Sequence, residues 1–520
     1  MAETRWHQTI INILIWIPTL FFVMPGILIL HFYKKYWDYL VTNFLKPNFR
    51  SPKFMDMTMC QGNSYEYPNT NAAQIWVVQG SWISATEFSE HFHKCFLQDK
   101  SDRYRNLYAH VTTYGTYSYY SHCEPKDLDL SWHIREYKLN DYGQGTLESW
   151  AATWMTTNTY EVGRPIWQVA ILHFGSLESG TMETGIVAKF SHSLIDGYSF
   201  IHMVSKLTDN PAPYVVPSRT LTWKDKLKYI YQSPYVVLGA YGNQAFSRDS
   251  QTPYKKLSRS LKSKPQKWLM SFATLDLQTV KMIRKATDTH FICLMLAAQF
   301  GALRKLLLES MSESELPENL WIGSSLAWPN HPLSFTNHWT MGFFKCPVKM
   351  RDPLERLRAV ESFYREYKAK ETDTKGMFSL MALLRMLPTW ARRFFCHNDF
   401  ALTNLSFFFA SLMLSAKQHY LLGRKVKKLY LPLACPDVVP VALYGVTTSH
   451  SGQIDLSIDA LQSVVVKNQA ELDRLTQVYF TQELEAIADR CGLKIPAVPT
   501  NGIAMTNEST GGGGSGDKFT

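Results

Sequence analysis

An uncharged stretch near the N-terminus constrains the fold of this chain more than any other sequence feature. It runs from Thr9 to Leu30, about 22 residues, which is enough for a helix to cross the hydrocarbon core of a bilayer. It is too long for a cleaved signal peptide, and no small-residue cleavage site follows it. We therefore expect a membrane-spanning or firmly inserted helix, which Pro18 and Pro25 could kink or make re-entrant. A helix buried in the protein's own core is the alternative.

The charges around this stretch predict its orientation. Lys34 and Lys35 follow it directly, and Lys46, Arg50 and Lys53 lie further on. A positive excess after the segment places the rest of the chain in the cytosol. The 8 cysteines show no C-x-x-C spacing, which suits reduced thiols in that compartment. We expect a single N-terminal anchor in the endoplasmic reticulum membrane, with the lipid droplet surface as a second location.

The length and composition predict more than one folded unit. The chain has 520 residues, of which 46% are hydrophobic and 19% charged, so it is too long for one core and too apolar to be disordered as a whole. The pattern divides into a membrane anchor over 1–45, an N-terminal lobe over 60–209, a Pro-rich basic crossover over 210–267, a C-terminal lobe over 268–496 and a disordered tail over 497–520. The Gly-rich run in the tail is typical of an artificial linker, because no strand precedes it as in a dinucleotide-binding motif.

Short β-rich runs alternate with amphipathic stretches in both lobes, which predicts an α/β architecture. In the first lobe we expect strands over 74–78, 166–174 and 184–190 and helices over 86–97 and 147–155. In the second we expect strands over 268–275, 426–431, 441–447 and 453–458 and helices over 277–286, 291–308, 353–370 and 469–487. The apolar stretch 378–415 is predicted to be core, with an interfacial edge beside Trp390, Phe394 and Phe395.

The net charge of +10 fits an anionic membrane surface or a phosphate-bearing ligand. Nucleic acid is excluded as a partner, because the sequence has no Cys/His finger spacing, no Gly-rich RNA-binding signature and no long Arg/Lys tract. Basic residues gather at the end of the crossover, where a solvated loop and a contact with phosphates or anionic headgroups are both open. They are Lys255, Lys256, Arg259, Lys262 and Lys264.

The segment Ser191–Gly197 carries the best chemical signal. His192 ends a predicted strand, and it is the only one of 16 histidines with an aspartate, Asp196, four residues later. A strand end can present an imidazole into a cleft, and a carboxylate in the turn can fix the backbone or hold an arginine, so that the ring keeps one tautomer. Gly197 would permit the tight bend. A structural histidine in a turn is the alternative if the motif stands alone.

This segment resembles the HHxxxDG motif of the wax ester synthase/diacylglycerol acyltransferase family, within the chloramphenicol acetyltransferase-like, CoA-dependent acyltransferases. Ser191 stands in place of the first motif histidine. Four further segments resemble the family in the same order, and the resemblance covers most of residues 70–490. These are 129–134, 164–167, 275–304 and 352–357. Phe291-Ile292 stands where the family has Asn-Asp, and no Asn-Val-Pro-Gly-Pro-like segment is evident near Cys435.

The resemblance implies an α/β sandwich with two chloramphenicol acetyltransferase-like lobes, a tunnel between them and an N-terminal membrane helix. His192 would be the general base in the tunnel and Asp196 the second motif residue, with acyl-CoA and a lipid alcohol as substrates. No metal and no tightly bound cofactor are expected. Arg164 is a candidate partner of Asp196, with a plain surface arginine as the alternative, and Pro165 belongs to the same motif. Trp167 is expected to be strand core, with the tunnel wall as the alternative. The basic run is the candidate contact for coenzyme A or anionic headgroups, with a solvated loop as the alternative.

Within this family, wax ester synthesis is favoured and diacylglycerol acylation is close behind. The other class of function is a catalytically inactive, membrane-tethered lipid-binding or scaffold protein of the same fold, for which Ser191 is the best support. Plant-type alcohol acyltransferases carry a DFGWG segment that is absent here. Peptide-synthetase condensation domains act on carrier-bound substrates, which an anchored chain does not favour. No G-x-S-x-G elbow is present, so no acyl-enzyme is expected.

Overall fold

The computed structural model describes most of the chain: 14–60, 65, 71–99, 101–142, 145–175, 182–211, 214, 216–220, 222–246, 267–369, 371–397, 407–434 and 442–494. The basic run from Lys255 to Lys264, the segment after Ala434 that includes Cys435, and the tail lie outside the described residues.

Sixteen strands are numbered in chain order. They are β1 Phe49–Arg50, β2 Asn71–Gln79, β3 Ala109–Tyr114, β4 Tyr117–His122, β5 Ile134–Tyr137, β6 Trp167–Phe174, β7 Glu183–Ser191, β8 Trp268–Asp276, β9 Asn319–Ala327, β10 Trp339–Pro347, β11 Phe407–Met413, β12 Tyr420–Leu421, β13 Arg424–Tyr430, β14 Leu433–Ala434, β15 Leu443–His450 and β16 Gln453–Leu461.

The helices are numbered in the same way. They are α1 Met24–Leu40, α2 Phe54–Met59, α3 Ala85–Phe92, α4 Leu130–His133, α5 Leu147–Thr157, α6 Gly197–Leu207, α7 Trp223–Phe246, α8 Leu277–Thr287, α9 Phe291–Leu308, α10 Pro353–Ala369, α11 Glu371–Leu384, α12 Thr389–His397, α13 Gln469–Asp473 and α14 Phe480–Arg490. Wider π-helical turns extend several of them, over Thr19–Val23, Val41–Leu45, His93–Leu97 and Arg474–Tyr479.

The first large sheet has the strand order β12-β13-β2-β7-β6-β5, with β14 also paired to β2. Its neighbours run antiparallel except β5 and β6. Strands β2 and β7 form its centre and are buried almost throughout, including the polar side chains Gln74 and Lys189. Three of its strands, β12 to β14, come from the C-terminal half of the chain. The predicted boundary at residue 268 therefore divides the sequence, but this sheet contains strands from both sides of it.

The second large sheet has the order β10-β9-β11-β15-β16-β8. Strand β11 runs parallel to both β9 and β15, while the other pairs are antiparallel. Helix α9 supplies much of the core of this lobe, and 72% of its apolar window is buried. It is apolar enough to cross a membrane by composition, but its burial makes it a core helix.

The N-terminal helix differs from α9 in its surroundings. It is continuous from Leu14 to Leu45, and no residue of its apolar window is buried. Its C-terminal half rests on the small sheet β1-β4-β3, where Lys34 pairs with Asp38 and the Tyr119 hydroxyl donates to Asp38 at 2.8 Å. The predicted anchor is thus an exposed apolar helix whose C-terminal half is fixed to the protein body, and Nε1 of Trp16 near its other end donates to the backbone oxygen of Tyr231.

Most predicted elements are present within a few residues of their expected bounds, and the differences lie in segments whose pattern was not interpreted. The hairpins β3–β4 and β9–β10 and the short helix α2 were not predicted. The crossover contains the 24-residue helix α7, with Pro234 inside it, which its proline content did not indicate. These unpredicted pieces include the partners of His192.

Candidate active site

The turn between β7 and α6, residues Ser191–Gly197, is called the histidine turn below. Asp196 is the N-cap of α6, where its Oδ1 accepts from the backbone N–H of Ser199 at 2.9 Å. Gly197 is the first helical residue and does not have a left-handed φ. A Cβ at this position would lie 2.8 Å from Cδ2 of Leu412. A larger residue here would displace the Leu412 side chain, and the φ of Gly197 does not show the tight bend that was expected from the sequence.

Asp196 also holds the loop between β9 and β10, residues 328–338, which is called the hairpin loop below. Its Oδ2 accepts from the backbone N–H of His338 at 2.8 Å, and its Oδ1 lies 3.2 Å from Nε2 of His331. Burial alone would raise the pKa of Asp196, but the His331 contact and the backbone donors Ser199 and His338 hold it below the usual range. The carboxylate thus fastens the histidine turn to the second lobe.

The predicted pairing of Arg164 with Asp196 is wrong. The Arg164 Nε donates to Glu161 at 2.9 Å, and its guanidinium lies over the Trp132 ring at 4.9 Å. Asp196 is buried and has three other donors, while the half-buried Arg164 pairs with Glu161 and Asp129. His331 takes the place that the sequence assigned to Arg164.

His192 is positioned by Asn337 of the hairpin loop. Its ring Nδ1 lies 3.1 Å from Oδ1 of Asn337. The amide Nδ2 donates to the backbone oxygens of His192 at 2.7 Å and Ser193 at 3.2 Å. One side chain from the second lobe therefore holds both the ring and the backbone of the candidate base.

The orientation of the Asn337 amide follows from its neighbours. Besides the two carbonyls, Nδ2 of Asn337 faces Oδ1 of Asp56 at 3.0 Å. Nε1 of Trp339 donates to Oδ1 of Asn337 at 3.2 Å. A flipped amide would set its oxygen against three acceptors and its nitrogen against a donor. Because Oδ1 can only accept, Nδ1 of the neutral His192 ring carries the proton. The lone pair then lies on Nε2, as a general base requires.

Asp56, on α2, is the group that fixes this amide. Its Oδ1 accepts from the backbone N–H of Asn337 at 2.6 Å as well as from Nδ2, and the Thr336 hydroxyl donates to its Oδ2 at 3.0 Å. Burial raises the pKa of Asp56 to about 7, against the lowering effect of these donors. Asp56, Asn337 and His192 form a continuous hydrogen-bonded row.

The His192 ring is itself kept neutral. Removal from water lowers its pKa below the ordinary value of 6.5, although Asp196, the Asn337 amide and nearby backbone carbonyls favour the charged form. A neutral imidazole at physiological pH has a lone pair available for proton abstraction.

His192 lines a cavity of about 1000 Å³ that residues of both lobes enclose. The walls are mainly apolar and include side chains of β11, β15 and α6, with exposed basic residues at one margin. Apart from His192, the lining includes Trp339, Phe408, Leu412, Leu431, Tyr444 and Val446 in the apolar part and Arg284, Lys285, His290 and Arg365 at the margin.

Other residues singled out in the sequence lie elsewhere. Arg164, Pro165 and Trp167 are not among the residues lining this cavity. Trp167 is fully buried in the first lobe, stacked on His133 with ring centroids 4.2 Å apart, so it is core and not tunnel wall. Ser191 is buried, and its hydroxyl pairs with that of Ser193 at 3.0 Å.

Among the described residues, one cluster has metal-ligand chemistry: His290, Cys293 and Glu361, with donor atoms within 4.8 Å of one another. Glu361 already accepts from His290 Nδ1 at 2.6 Å and from Arg365 Nε at 2.7 Å. Burial raises the pKa of the Cys293 thiol far above its usual value. The Cys293 thiol stays protonated, and the charge of Glu361 is already balanced by Arg365, so the cluster makes a poor cation site.

Sequence reasoning missed Asp56, Asn337, His331 and His338. A signal for three of them exists: the hairpin loop contains two histidines and two asparagines between apolar strands, and polar loops on a rigid scaffold often carry function. Asp56 has no comparable local signal, since it stands alone between methionines in a short helix.

The sequence was then compared with known protein families. The family model for the wax ester synthase/diacylglycerol acyltransferase catalytic domain matches residues 54–229, and the model for the C-terminal domain of the same enzymes matches residues 335–487. The chain belongs to the wax ester synthase/diacylglycerol acyltransferase family. The resemblance deduced from the motifs is confirmed, and the family supports acyl transfer.

Two solved structures share the architecture of this family member. The wax ester synthase/diacylglycerol acyltransferase from Marinobacter aquaeolei VT8 superposes with a TM-score of 0.57 at 15% identity, covering 84% of this chain and 98% of that one. TRI3 trichothecene 15-O-acetyltransferase from Fusarium sporotrichioides gives a TM-score of 0.53 at 12% identity, covering 84% and 95%. No curated protein sequence matches the chain. The expected fold of two sheet-rich, acyltransferase-like lobes is confirmed.

Proposed function

We propose that this protein is a membrane-bound, acyl-CoA-dependent O-acyltransferase that moves a fatty acyl group from coenzyme A to a lipid alcohol. Wax ester synthesis is favoured, and diacylglycerol acylation is close behind. The observation that carries the proposal is His192, whose Nδ1 is held as a donor by Asn337 at the wall of a largely apolar inter-lobe cavity.

The proposed reaction needs one proton carrier. Nε2 of His192 takes the hydroxyl proton of the acceptor while the acceptor oxygen attacks the thioester carbonyl. The tetrahedral intermediate collapses, the carbon–sulfur bond breaks, and the imidazolium returns the proton to the coenzyme A thiolate. General-base assistance of this kind contributes roughly 10²–10⁴-fold, and holding both substrates in one cavity contributes further.

The lining of the cavity suits the two parts of an acyl-CoA. Phe408, Leu412 and Tyr444 offer apolar surface to an acyl chain. Arg284 and Lys285 are exposed at the cavity margin, where they suit the phosphates of coenzyme A. The basic run that the sequence first suggested for this contact, from Lys255 to Lys264, remains a second proposal.

The N-terminal helix supports membrane attachment in this proposal. Its apolar window is exposed, and an exposed apolar helix of this length is stable in a bilayer and costly in water. We propose the endoplasmic reticulum membrane, with the protein body in the cytosol. A bilayer-attached enzyme would collect acceptors that dissolve in lipid.

The test is an assay on microsomes that contain the full chain, with labelled acyl-CoA and a panel of fatty alcohols, diacylglycerol and sterols. We expect an ester product whose identity names the acceptor, and its near-complete loss in His192→Ala. The matched control is His93→Ala, an exposed histidine outside the cavity, which should retain activity. A product that survives His192→Ala contradicts the proposed base. Absence of product from every pair supports the scaffold function instead.

A further inference from the structure

Helix α7, in the crossover between the lobes, exposes an unusual number of large apolar side chains. Trp223 is 67% exposed, Leu227 and Ile230 are each 56% exposed, Tyr231 is 41% and Leu238 is 52% exposed. Single exposed apolar residues are common on protein surfaces, but a contiguous set of this size marks an interaction surface.

These residues form one stripe. At about 100° per residue, Trp223, Leu227, Ile230, Tyr231 and Leu238 fall within an arc of about 100°. We call them the α7 stripe. The apolar surface therefore runs along one side of the helix, as in helices that bind an apolar partner along their length.

The opposite side of α7 packs on the protein. The Tyr229 hydroxyl bonds to Ser379 of α11, and Val236 is buried. The helix is thus held in place by α11, and its stripe points away from the protein body.

Lysines border the stripe. By the same helical geometry, Lys224 and Lys226 flank the stripe on its two sides, and Lys228 lies further round. Their ammonium groups are exposed. An apolar stripe with a tryptophan at one end and lysines at its borders is typical of a helix lying in the interfacial plane of a membrane.

The stripe continues the surface of the N-terminal helix. Nε1 of Trp16 donates to the backbone oxygen of Tyr231 at 2.6 Å, so the exposed apolar window that begins at Leu14 lies directly against the stripe. Trp16 lies about 14 residues, or about 21 Å along a helix, before Leu30, so this contact keeps the N-terminal helix alongside the protein. One bilayer surface would therefore meet the exposed side of that helix and the stripe together. This continuity selects a lipid surface over a separate protein partner.

A second exposed apolar pair lies on α12. Trp390 and Phe394, one turn apart on α12, are 69% and 54% exposed. Thr389 bonds to the oxygen of Thr116 beside Gly115, which contacts Trp37 of the N-terminal helix. The predicted interfacial edge of this region therefore lies near the point where that helix meets the body.

We propose that the α7 stripe lies in the headgroup and upper acyl region of the membrane that holds the N-terminal helix. The protein would then be attached by two elements that both lie along the bilayer surface, which fixes the orientation of its body. This inference rests on the proposed membrane attachment and does not depend on the proposed chemistry.

The test uses the full chain in phosphatidylcholine/phosphatidylserine vesicles. Single cysteines replace Ile230 or Leu238 on the stripe, or Lys228 off the stripe as the matched control, and each carries an environment-sensitive fluorophore. Quenching by lipids spin-labelled near the headgroup is measured, with labelling of the unsubstituted chain as background and the unfolding temperature as the check on folding.

We expect several-fold stronger quenching at 230 and 238 than at 228. Equal quenching at all three positions, or none at 230 and 238, overturns the proposal. Cross-linking between two copies through position 230 without lipid quenching would likewise overturn it, and would assign the stripe to a dimer.

Discussion

The two segments that meet at His192 differ in how they are built. The histidine turn supplies the reacting group at the end of a buried strand, and its parts are seven consecutive residues. The hairpin loop reaches it from the second lobe and supplies Asn337, His331 and the His338 N–H, while α2 adds Asp56. The turn thus contains the proposed chemistry, and the loop determines the tautomer. Which segment dominates is open to measurement.

The largest effect is expected from Asn337→Ala. The substitution removes the acceptor of Nδ1–H, so His192 loses its fixed tautomer. It also removes one of the donors to Asp56 and the acceptor of the Trp339 Nε1–H. We expect kcat to fall roughly 10²-fold or more, with a smaller change in KM. The measurement is steady-state acyl transfer in microsomes.

The matched control for that experiment is Asn106→Ala. Asn106 donates to the backbone oxygen of Phe335 at 2.7 Å, so it supports the same loop at a residue other than Asn337. We expect a much smaller loss of kcat. Equal losses in the two variants would show that the loop matters only as structure.

The main effect of Asp196→Asn should be on the stability of the fold, and its effect on the rate of acyl transfer should be secondary. The amide cannot accept at both positions, so its NH₂ would face the Ser199 or the His338 N–H. Leaving a buried donor unpaired costs about 1–3 kcal/mol, to be measured by chemical unfolding in detergent. Asp129→Asn is the control, because Asp129 caps the short helix α4 in an exposed position. Equal destabilisation would mean that Asp196 is only a cap.

The contrast between the segments also explains what the sequence could predict. Strand β7, the histidine turn and α6 are consecutive in the sequence. The change from a β-rich run to apolar residues at helical spacing therefore predicted them, and the motif singled out His192. Asn337 lies 145 residues away, and its role depends on the packing of β9 and β10 beside the first lobe. No local sequence pattern indicates a contact between residues so far apart in the chain.

The same limit accounts for the error over Arg164. An aspartate in a turn can hold an arginine, and Arg164 in a neighbouring motif was one candidate, with a plain surface arginine as the alternative. The structure brings His331 from the hairpin loop to that position. Sequence reasoning therefore predicted the fold, the role of His192 as the base stays a prediction, and the partner across the lobe interface was not found.

The pH dependence of acyl transfer should reflect the neutral state of His192. Because burial lowers its pKa below 6.5, the active form dominates at neutral pH, and kcat should decline only as the pH falls through that lowered pKa. The Asn337 amide favours the charged ring, so Asn337→Ala should move the acid limb to still lower pH. A purely structural role for Asn337 would lower the plateau without moving the limb.

The smallest effect, and the finest test of the comparison, is Asp56→Asn. An asparagine can still accept from Asn337 through its oxygen and can donate to Thr336, so the amide orientation survives and activity should stay within a few-fold. Asp56→Leu, which cannot accept, should reduce kcat as Asn337→Ala does. If Asp56→Asn is as damaging as Asp56→Leu, the negative charge is what matters, and the tautomer argument fails.

The pH dependence of stability gives an independent measurement of the Asp56 carboxyl group. Its pKa rises from 3.8 to about 7 on folding, so between these values the folded state binds more protons than the unfolded state. The contribution of Asp56 to the free energy of unfolding should therefore fall as the pH rises through this window and level off above it. Asp56→Asn should remove that decline, while the control Asp102→Asn, whose side chain is 90% exposed, should keep it. An unchanged slope in Asp56→Asn would mean that Asp56 is ionised throughout and that its charge is stabilised by the hairpin loop more strongly than burial opposes it.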